Sequence, residues 1–329
     1  MSSLLFRVVF AQECTSTHHK LAMDALQQLR DEQAPAWRDM LLYYFDAYLD
    51  GSKAPDKKFK DFRNHVLHVG ENFWGGAVER CNHWYGETVQ LLREKKWREA
   101  AYAAGVLSHY FTDPLMPFHT GQSEEETQIH RAVEWSITKS YDRLRAILVN
   151  ELGGFPVVDA PRGDDWLAQM VKQGARKAHA HYQMMIDHYD FAIGVADPPA
   201  ALDQEIKDAI AELLGHAAVG FARVLDRAFA DAAVQPPTKR LTLGGYLSLL
   251  TIPIAWVERK LADGRDRAIV KAMYGEFKKS GRVRESLPED DRAVRQAHAD
   301  EVLKRPLEEI EAAELRPIGS KHGTGKPSR

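Results

Sequence analysis

Apolar residues recur at helical spacing along most of the chain, and this periodicity constrains the fold more than any other feature of the sequence. The segments that place apolar side chains at positions i, i+3 and i+4 are residues 16–26, 35–48, 82–92, 97–112, 125–152, 164–189 and 203–229. This spacing is typical of amphipathic helices, and neither alternating strand runs nor a βαβ rhythm interrupts it. The sequence therefore predicts an all-α fold, with one multi-helix bundle over residues 1–232.

Three short segments are predicted to depart from these long helices. Residues 1–11 are apolar and are predicted to form a short buried strand or an extended lead-in. The glycine-containing residues 50–52 predict a turn. Residues 60–69 predict a short helix that carries both His65 and His68.

The chain beyond Pro236-Pro237 is predicted to form a helical C-terminal extension over residues 233–316 and a disordered polar tail over 317–329. The extension contains the apolar segment 241–257, which Pro253 interrupts and which falls short of the ~20 residues that span a bilayer. A buried helix is the favoured interpretation of this segment, and docking on a membrane surface is the alternative.

Charge and targeting signals restrict the class of protein. The formal net charge of −3 gives no overall electrostatic reason for nucleic-acid binding. The apolar N-terminus lacks a basic stretch, and Arg7 interrupts a run that is already too short for the core of a signal peptide. No clear signal peptide is predicted, so a cytoplasmic location is the default expectation.

The residues that carry chemistry lie between positions 109 and 134. His109 and Asp113 are four apart on one predicted helix, and His130 and Glu134 repeat that spacing on the next, so each pair projects from one helix face. His119 lies in the proline-containing connection between them. Burying imidazole with carboxylate is costly unless the groups are paired or bind a metal. This nitrogen and oxygen donor set predicts catalytic zinc, because structural zinc favours thiolates.

In this stretch the chain resembles the zinc-dependent phospholipases C of bacteria, which are related to the single-strand-specific zinc nucleases of fungi and plants. The family pattern is His-x3-Asp, a histidine six positions further on, and then His-x3-Glu. The residues that match it are His109, Asp113, His119, His130 and Glu134. The resemblance covers roughly residues 15–232 and implies a phospholipase C/zinc nuclease-like bundle that hydrolyses phosphoric esters with metal-activated water.

The resemblance also implies how these residues share zinc ions. His68, with His65 as its rival, takes the place of the family histidine that joins His109 and Asp113 on one zinc. A second zinc is then held by His119, His130 and Glu134. Asp56 matches a family aspartate that acts as base or ligand, and it is the expected catalytic residue.

A third zinc in the family uses an early histidine together with the N-terminal amine and carbonyl, usually of a tryptophan. His18 matches that histidine, with His19 as a close competitor. No tryptophan precedes His18 in this sequence. Two zinc ions are therefore expected, and a third depends on another group completing the set.

The resemblance implies a phospholipase C-like phosphodiesterase whose partner is a phosphate-ester substrate, such as a phospholipid at a membrane surface. A zinc-dependent nuclease acting on single-stranded nucleic acid is one alternative. A non-catalytic interaction protein, in which zinc only staples the fold, is another.

Overall fold

The computed structural model describes residues 4–239 and 252–319. The helices of the first range are α1 (Leu4–Gln12), α2 (Thr17–Leu26), α3 (Ala34–Tyr43), α4 (Phe45–Ala54), α5 (Ala77–Arg93), α6 (Trp97–Thr112), α7 (Glu124–Asn150), α8 (Trp166–His179), α9 (Tyr182–His188), α10 (Phe191–Ala196) and α11 (Gln204–Ala232). Those of the second range are α12 (Ile252–Ser280), α13 (Glu289–His298) and α14 (Leu307–Glu311). Within the described residues the strands are the antiparallel pair β1 (Leu67–His68) and β2 (Trp74–Gly75). The predicted all-α fold is confirmed.

Helix α6 lies at the centre of the bundle, where it packs against α2, α4, α5 and α11. Two glycines allow its closest contact. A methyl group at Gly105 of α6 would overlap the carbonyl oxygen of Tyr48, and one at Gly51 of α4 would overlap that of Tyr102. Helices α4 and α6 therefore meet backbone to backbone, one turn before His109.

The predicted strand or extended lead-in at the N-terminus is wrong, because residues 4–12 form helix α1. Leu5, Phe6 and Val9 are buried on one side of this helix, which is helical spacing rather than strand alternation. Within the described residues, β1 and β2 pair only with each other, so no strand accepts the hydrogen bonds of an N-terminal one.

Two further local predictions are wrong. Residues 50–52 do not form a turn but lie inside α4, where Gly51 serves close packing. Residues 60–69 do not form a helix: the 3-10 turn Phe62–Asn64 leads into β1, and the hairpin to β2 passes through left-handed backbone at Asn72 (φ 52°). The predicted helices over 35–48 and 164–189 are each divided in two, into α3 and α4 and into α8 and α9.

The segment after residue 251 packs closely on the bundle. Helix α12 contacts α1, α7 and α10, and α13 contacts the 3-10 turn Phe62–Asn64. The described part of the chain holds no helix that is long and apolar enough to cross a membrane. Residues 240–251, which include most of the apolar segment 241–257, and residues 320–329 of the tail lie outside the described residues. The domain boundary at residue 232 stays a prediction.

We expect Gly105→Ala to destabilise the protein by about 1–3 kcal/mol, because the added methyl group must push α4 and α6 apart. Urea unfolding followed by circular dichroism measures this. Gly86→Ala is the matched control, since Gly86 is an exposed helical glycine with nothing within 4 Å of the added carbon. That variant should gain about 0.5–1 kcal/mol from the lost backbone entropy. Equal effects of the two substitutions would contradict the close approach of α4 and α6.

Candidate metal centre

Asp113 is the centre of the first group of donor atoms. Helix α6 ends at Thr112, and Asp113 opens a 3-10 turn whose second residue is Pro114, so proline ends the helix at this point. The Asp113 Oδ2 atom lies 3.1 Å from Nε2 of His109 and 3.1 Å from Nδ1 of His65. The two imidazole nitrogens are 3.2 Å apart. Three side chains from two separate segments thus converge on one point.

Asp56 completes this group. Its Oδ1 atom lies 3.3 Å from Nε2 of His109 and 3.6 Å from Nδ1 of His65. Donors at about 2.0–2.1 Å from a tetrahedral zinc are separated from one another by about 3.3 Å. His109 donates its Nδ1–H to the carbonyl of Ser52 at 2.9 Å, which leaves Nε2 free to bind a metal. The four donor atoms therefore have the spacing of a zinc site.

The surroundings of the Asp113 Oδ2 atom also suit a cation. Among the described residues it has no hydrogen-bond partner, although Asp113 is only 2% exposed and two ring nitrogens lie 3.1 Å away. A buried carboxylate oxygen without a hydrogen bond is costly. Two ring nitrogens and a carboxylate oxygen that converge on one point are arranged as metal ligands are.

The structure places His68 away from His109 and Asp113. Its Nδ1 atom lies 2.9 Å from Oε2 of Glu71, and the other oxygen of Glu71 lies 2.7 Å from Nε2 of His298. His65 takes the place beside His109 and Asp113. His65 and His68 would share a helix face only if residues 60–69 were helical. In the hairpin their side chains point to different partners. We call the contact of His68, Glu71 and His298 the imidazole bridge.

His18 lies on the other side of Asp113. Its Nε2 atom is 3.3 Å from Oδ1 of Asp113, and its ring stacks on His109 with the centroids 3.9 Å apart. The competing His19 turns away, because its Nδ1 atom accepts the backbone N–H of Thr15 at 3.1 Å. Of the two early histidines, the structure brings His18 to the site.

A second group of donor atoms lies nearby. The Oε1 atom of Glu134 is 3.3 Å from Nε2 of His119 and 3.5 Å from Nε2 of His130. These spacings again match donors around a zinc ion. His119 also links the groups, since its Nδ1 atom lies 3.9 Å from Oδ1 of Asp113. The three residues that the sequence assigned to a second zinc are therefore brought together.

Sequence reasoning missed two carboxylates that contact the outer edge of His130. Its Nδ1 atom lies 2.6 Å from Oε1 of Glu126 and 3.2 Å from Oδ1 of Asp291. Glu126 had a local signal, because it precedes His130 by four residues on the same helix. Asp291 had none, since it is distant in sequence and outside the resemblance.

The electrostatics of the first donor group favour a positive charge. Burial would raise the pKa of Asp113, but His109 and His18 hold it well below its usual range. Burial lowers the pKa of His18 to about 3, and His109 acts in the same direction. Burial would also lower the pKa of His109, but Asp113 and Asp56 raise it to about 10. A positive charge is thus favoured between these two carboxylates, where a divalent cation would also lie.

Both donor groups open on a cavity of about 680 Å³. Polar lining residues include Lys53 and Arg131 beside residues of both donor groups. The apolar part of the lining comes from several elements. Its members include Leu115, Met116, Ile210, Leu213, Leu214, Leu261 and Ile269. The cavity therefore joins a set of candidate metal ligands to an apolar surface.

Comparison with known proteins agrees with this arrangement. The sequence pattern of the family described as zinc dependent phospholipase C matches residues 17–218. No curated protein matches the chain by sequence.

Two solved structures are similar in part. Alpha toxin from Clostridium absonum is 17% identical over 69% of this chain and 67% of its own, with a TM-score of 0.49. Alpha-toxin from an avian strain of Clostridium perfringens is 12% identical over 68% of this chain and 66% of its own, with a TM-score of 0.45. The chain thus spans about two thirds of the length of each toxin.

The family pattern alone covers more than half of the 329 residues and includes both donor groups. The chain belongs to the zinc-dependent phospholipase C family, and it is accordingly an all-α, zinc-dependent phosphoric ester hydrolase.

Proposed function

We propose that this protein hydrolyses phospholipids at a centre of two zinc ions. The first ion is held by Asp56, His65, His109 and Asp113, and the second by His119, His130 and Glu134. The observation that carries the proposal is the convergence of two nitrogen and oxygen donor groups on one partly apolar cavity. Family membership supports the choice of metal.

The reaction is a phosphodiester hydrolysis. An oxygen from water bonds to phosphorus, the bond from phosphorus to the diacylglycerol oxygen breaks, and that oxygen takes up a proton. Zinc, when bound, lowers the pKa of a water ligand from 15.7 to about 7 and so makes hydroxide available near neutral pH. The second donor group has three protein ligands, which leaves a position open as catalytic zinc sites require.

Asp56 is better placed as a ligand than as a free base. Its Oδ1 atom belongs to the first donor group, while its Oδ2 atom forms an ion pair with Lys53. The ammonium group of Lys53 fixes the orientation of the carboxylate. Lys53 also lines the cavity, where its charge would attract a phosphate.

Residues of this chain also support a position for a third cation. His18 Nε2 and Asp113 Oδ1 face each other at 3.3 Å and supply one nitrogen and one oxygen donor. His18 also lies close to Asp56 and His109, but both of these belong to the first donor group. The two donors that remain are fewer than a zinc site requires. We therefore propose two resident ions and an incomplete third position.

The apolar part of the lining favours a lipid over a nucleic acid as substrate. A nuclease site would need aromatic faces for base stacking along a basic groove. Phe62, Phe118 and Trp135 also line the cavity, but leucine, isoleucine and methionine outnumber these aromatic residues. The family description names a phospholipase, which supports the same choice.

Hydrolysis assays test the proposed function directly. Purified protein should release nitrophenol from p-nitrophenyl phosphorylcholine and diacylglycerol from phosphatidylcholine vesicles. Both activities should disappear on chelation and return with added zinc. Single-stranded DNA is offered in parallel as the competing substrate. Cleavage of DNA without hydrolysis of either phosphocholine ester would overturn the lipid assignment. Activity that survives removal of all metal would overturn the zinc mechanism.

A matched pair of substitutions tests which histidine binds the first zinc. His65→Gln should weaken zinc binding more than about 100-fold, because loss of an outer partner alone typically costs 10–100-fold. His68→Gln should keep the full zinc content, since a glutamine can still hydrogen-bond to Glu71. Zinc per chain is measured by mass spectrometry after dialysis. The reverse result would restore His68 as the ligand.

A second pair tests the central role of Asp113. Asp113→Asn should lower kcat/KM far more than Asp56→Asn. The first change removes the negative charge from the point where His18, His65 and His109 meet. Steady-state assays with the chromogenic ester compare the two variants at saturating zinc. Equal residual rates would contradict this assignment.

A further inference from the structure

The segment 289–301 is attached beside the metal centre by several contacts. Lys60 pairs with Glu289 at 2.7 Å, and Arg63 pairs with Glu301 at 2.9 Å. The imidazole bridge adds a buried contact, because His298 of α13 is only 4% exposed. These contacts hold the first turn of α13 against the edge of the cavity.

Asp291, in that first turn, reaches a proposed zinc ligand. Its Oδ1 atom lies 3.2 Å from Nδ1 of His130, whose Nε2 atom faces Glu134. The two nitrogens lie at different edges of the imidazole ring. Glu126 lies nearer to the same nitrogen, at 2.6 Å, so the two carboxylates share the Nδ1–H. Together they fix the tautomer and direct the lone pair of Nε2 toward the metal.

Acidic residues in a first helical turn stabilise the helix dipole whether or not they meet another group. The acids of this turn differ, however, in exposure. The side chain of Glu289 is 64% exposed and that of Asp290 is 38% exposed, whereas that of Asp291 is 12% exposed. The helix dipole does not require that burial.

Several carboxylates surround Asp291. Its Oδ2 atom is buried and has no hydrogen-bond partner among the described residues. Glu126 and Glu134 are further carboxylates at the same imidazole. The guanidinium of Arg131 lies 3.3 Å from Glu134 and 3.8 Å from Asp290. An ion held by Nε2 of His130 would offset the remaining negative charge.

We propose that Asp291 is a positioning residue that holds His130 in its metal-binding orientation. The segment C-terminal to the family match thereby completes the second zinc site. This inference rests on the proposed function, because it requires zinc at His119, His130 and Glu134.

The full-length protein tests this with zinc titrations of Asp291→Ala. Zinc affinity at one site per chain should fall about tenfold, the lower end of the usual 10–100-fold cost of losing an outer partner, because Glu126 still accepts from His130. Asp291→Asn keeps an acceptor oxygen, so its zinc affinity should stay within about threefold of the wild-type affinity. A loss of that size corresponds to the weakening of one charged hydrogen bond. Glu289→Ala removes an exposed acid from the same turn and should leave zinc affinity unchanged.

Thermal melts separate positioning from a general structural role. Zinc-free Asp291→Ala should keep most of the wild-type Tm, because Glu126 and Glu134 still pair with His130. The rise in Tm on adding zinc should shrink, since weaker binding gives less stabilisation. Equal losses of Tm with and without zinc, or zinc affinity equal to that of Glu289→Ala, would overturn the inference. Loss of zinc by Asp291→Asn as large as that of Asp291→Ala would overturn the hydrogen-bond mechanism.

Zinc counting of the wild type keeps this test apart from that of the proposed function. If the wild type binds no zinc at the second donor group, both the proposed function and the role of Asp291 are contradicted. Wild type that binds zinc there, with an unaffected Asp291→Ala, would defeat only the role of Asp291.

Discussion

The structure depends on one costly feature, a carboxylate buried at the centre of a helical bundle. Asp113 is 2% exposed and is surrounded by His18, His65 and His109. Burying a charge in this way is favourable only when positive charge and donor groups surround it. Several central features place such groups around Asp113. A proline ends α6 at this point, and separate segments of the chain position the three histidines.

Close helix packing gives the site its precision. Gly51 and Gly105 let α4 and α6 meet backbone to backbone. This approach places the carbonyl of Ser52 2.9 Å from Nδ1 of His109. The same glycine contact that packs the core therefore also selects the tautomer of a metal ligand. A side chain at either glycine would disturb the fold and the orientation of His109 together.

Much of the site could be predicted from sequence because it is local. Spacing of four residues on a helix places two side chains on one face, which is why His109 with Asp113 and His130 with Glu134 were found. His65 and His68 could not be separated, because that choice depends on the path of an irregular hairpin. Periodicity carries no information about such a path.

Other sequence-based predictions failed because the contacts of the residue concerned lie far away in sequence. Gly51 was predicted to lie in a turn, yet its partner is the carbonyl of Tyr102 on another helix. Asp291 had no recognisable pattern, because its partner His130 lies in a different helix. A glycine or an aspartate has many local uses, and only the assembled bundle shows which one applies.

Distances between donor atoms distinguish the zinc sites from ordinary polar contacts. The imidazole bridge has contacts of 2.7 and 2.9 Å, and each oxygen of Glu71 faces a different ring, as in shared hydrogen bonds. Around Asp113 the atoms are 3.1–3.3 Å apart at their closest, and one carboxylate oxygen faces two rings at once. The geometry around Glu71 suits shared protons, and the geometry around Asp113 suits a metal ion. Histidine and carboxylate therefore serve two purposes in this protein: the imidazole bridge fastens α13 to the bundle, and the donor groups around Asp113 and Glu134 are arranged for zinc.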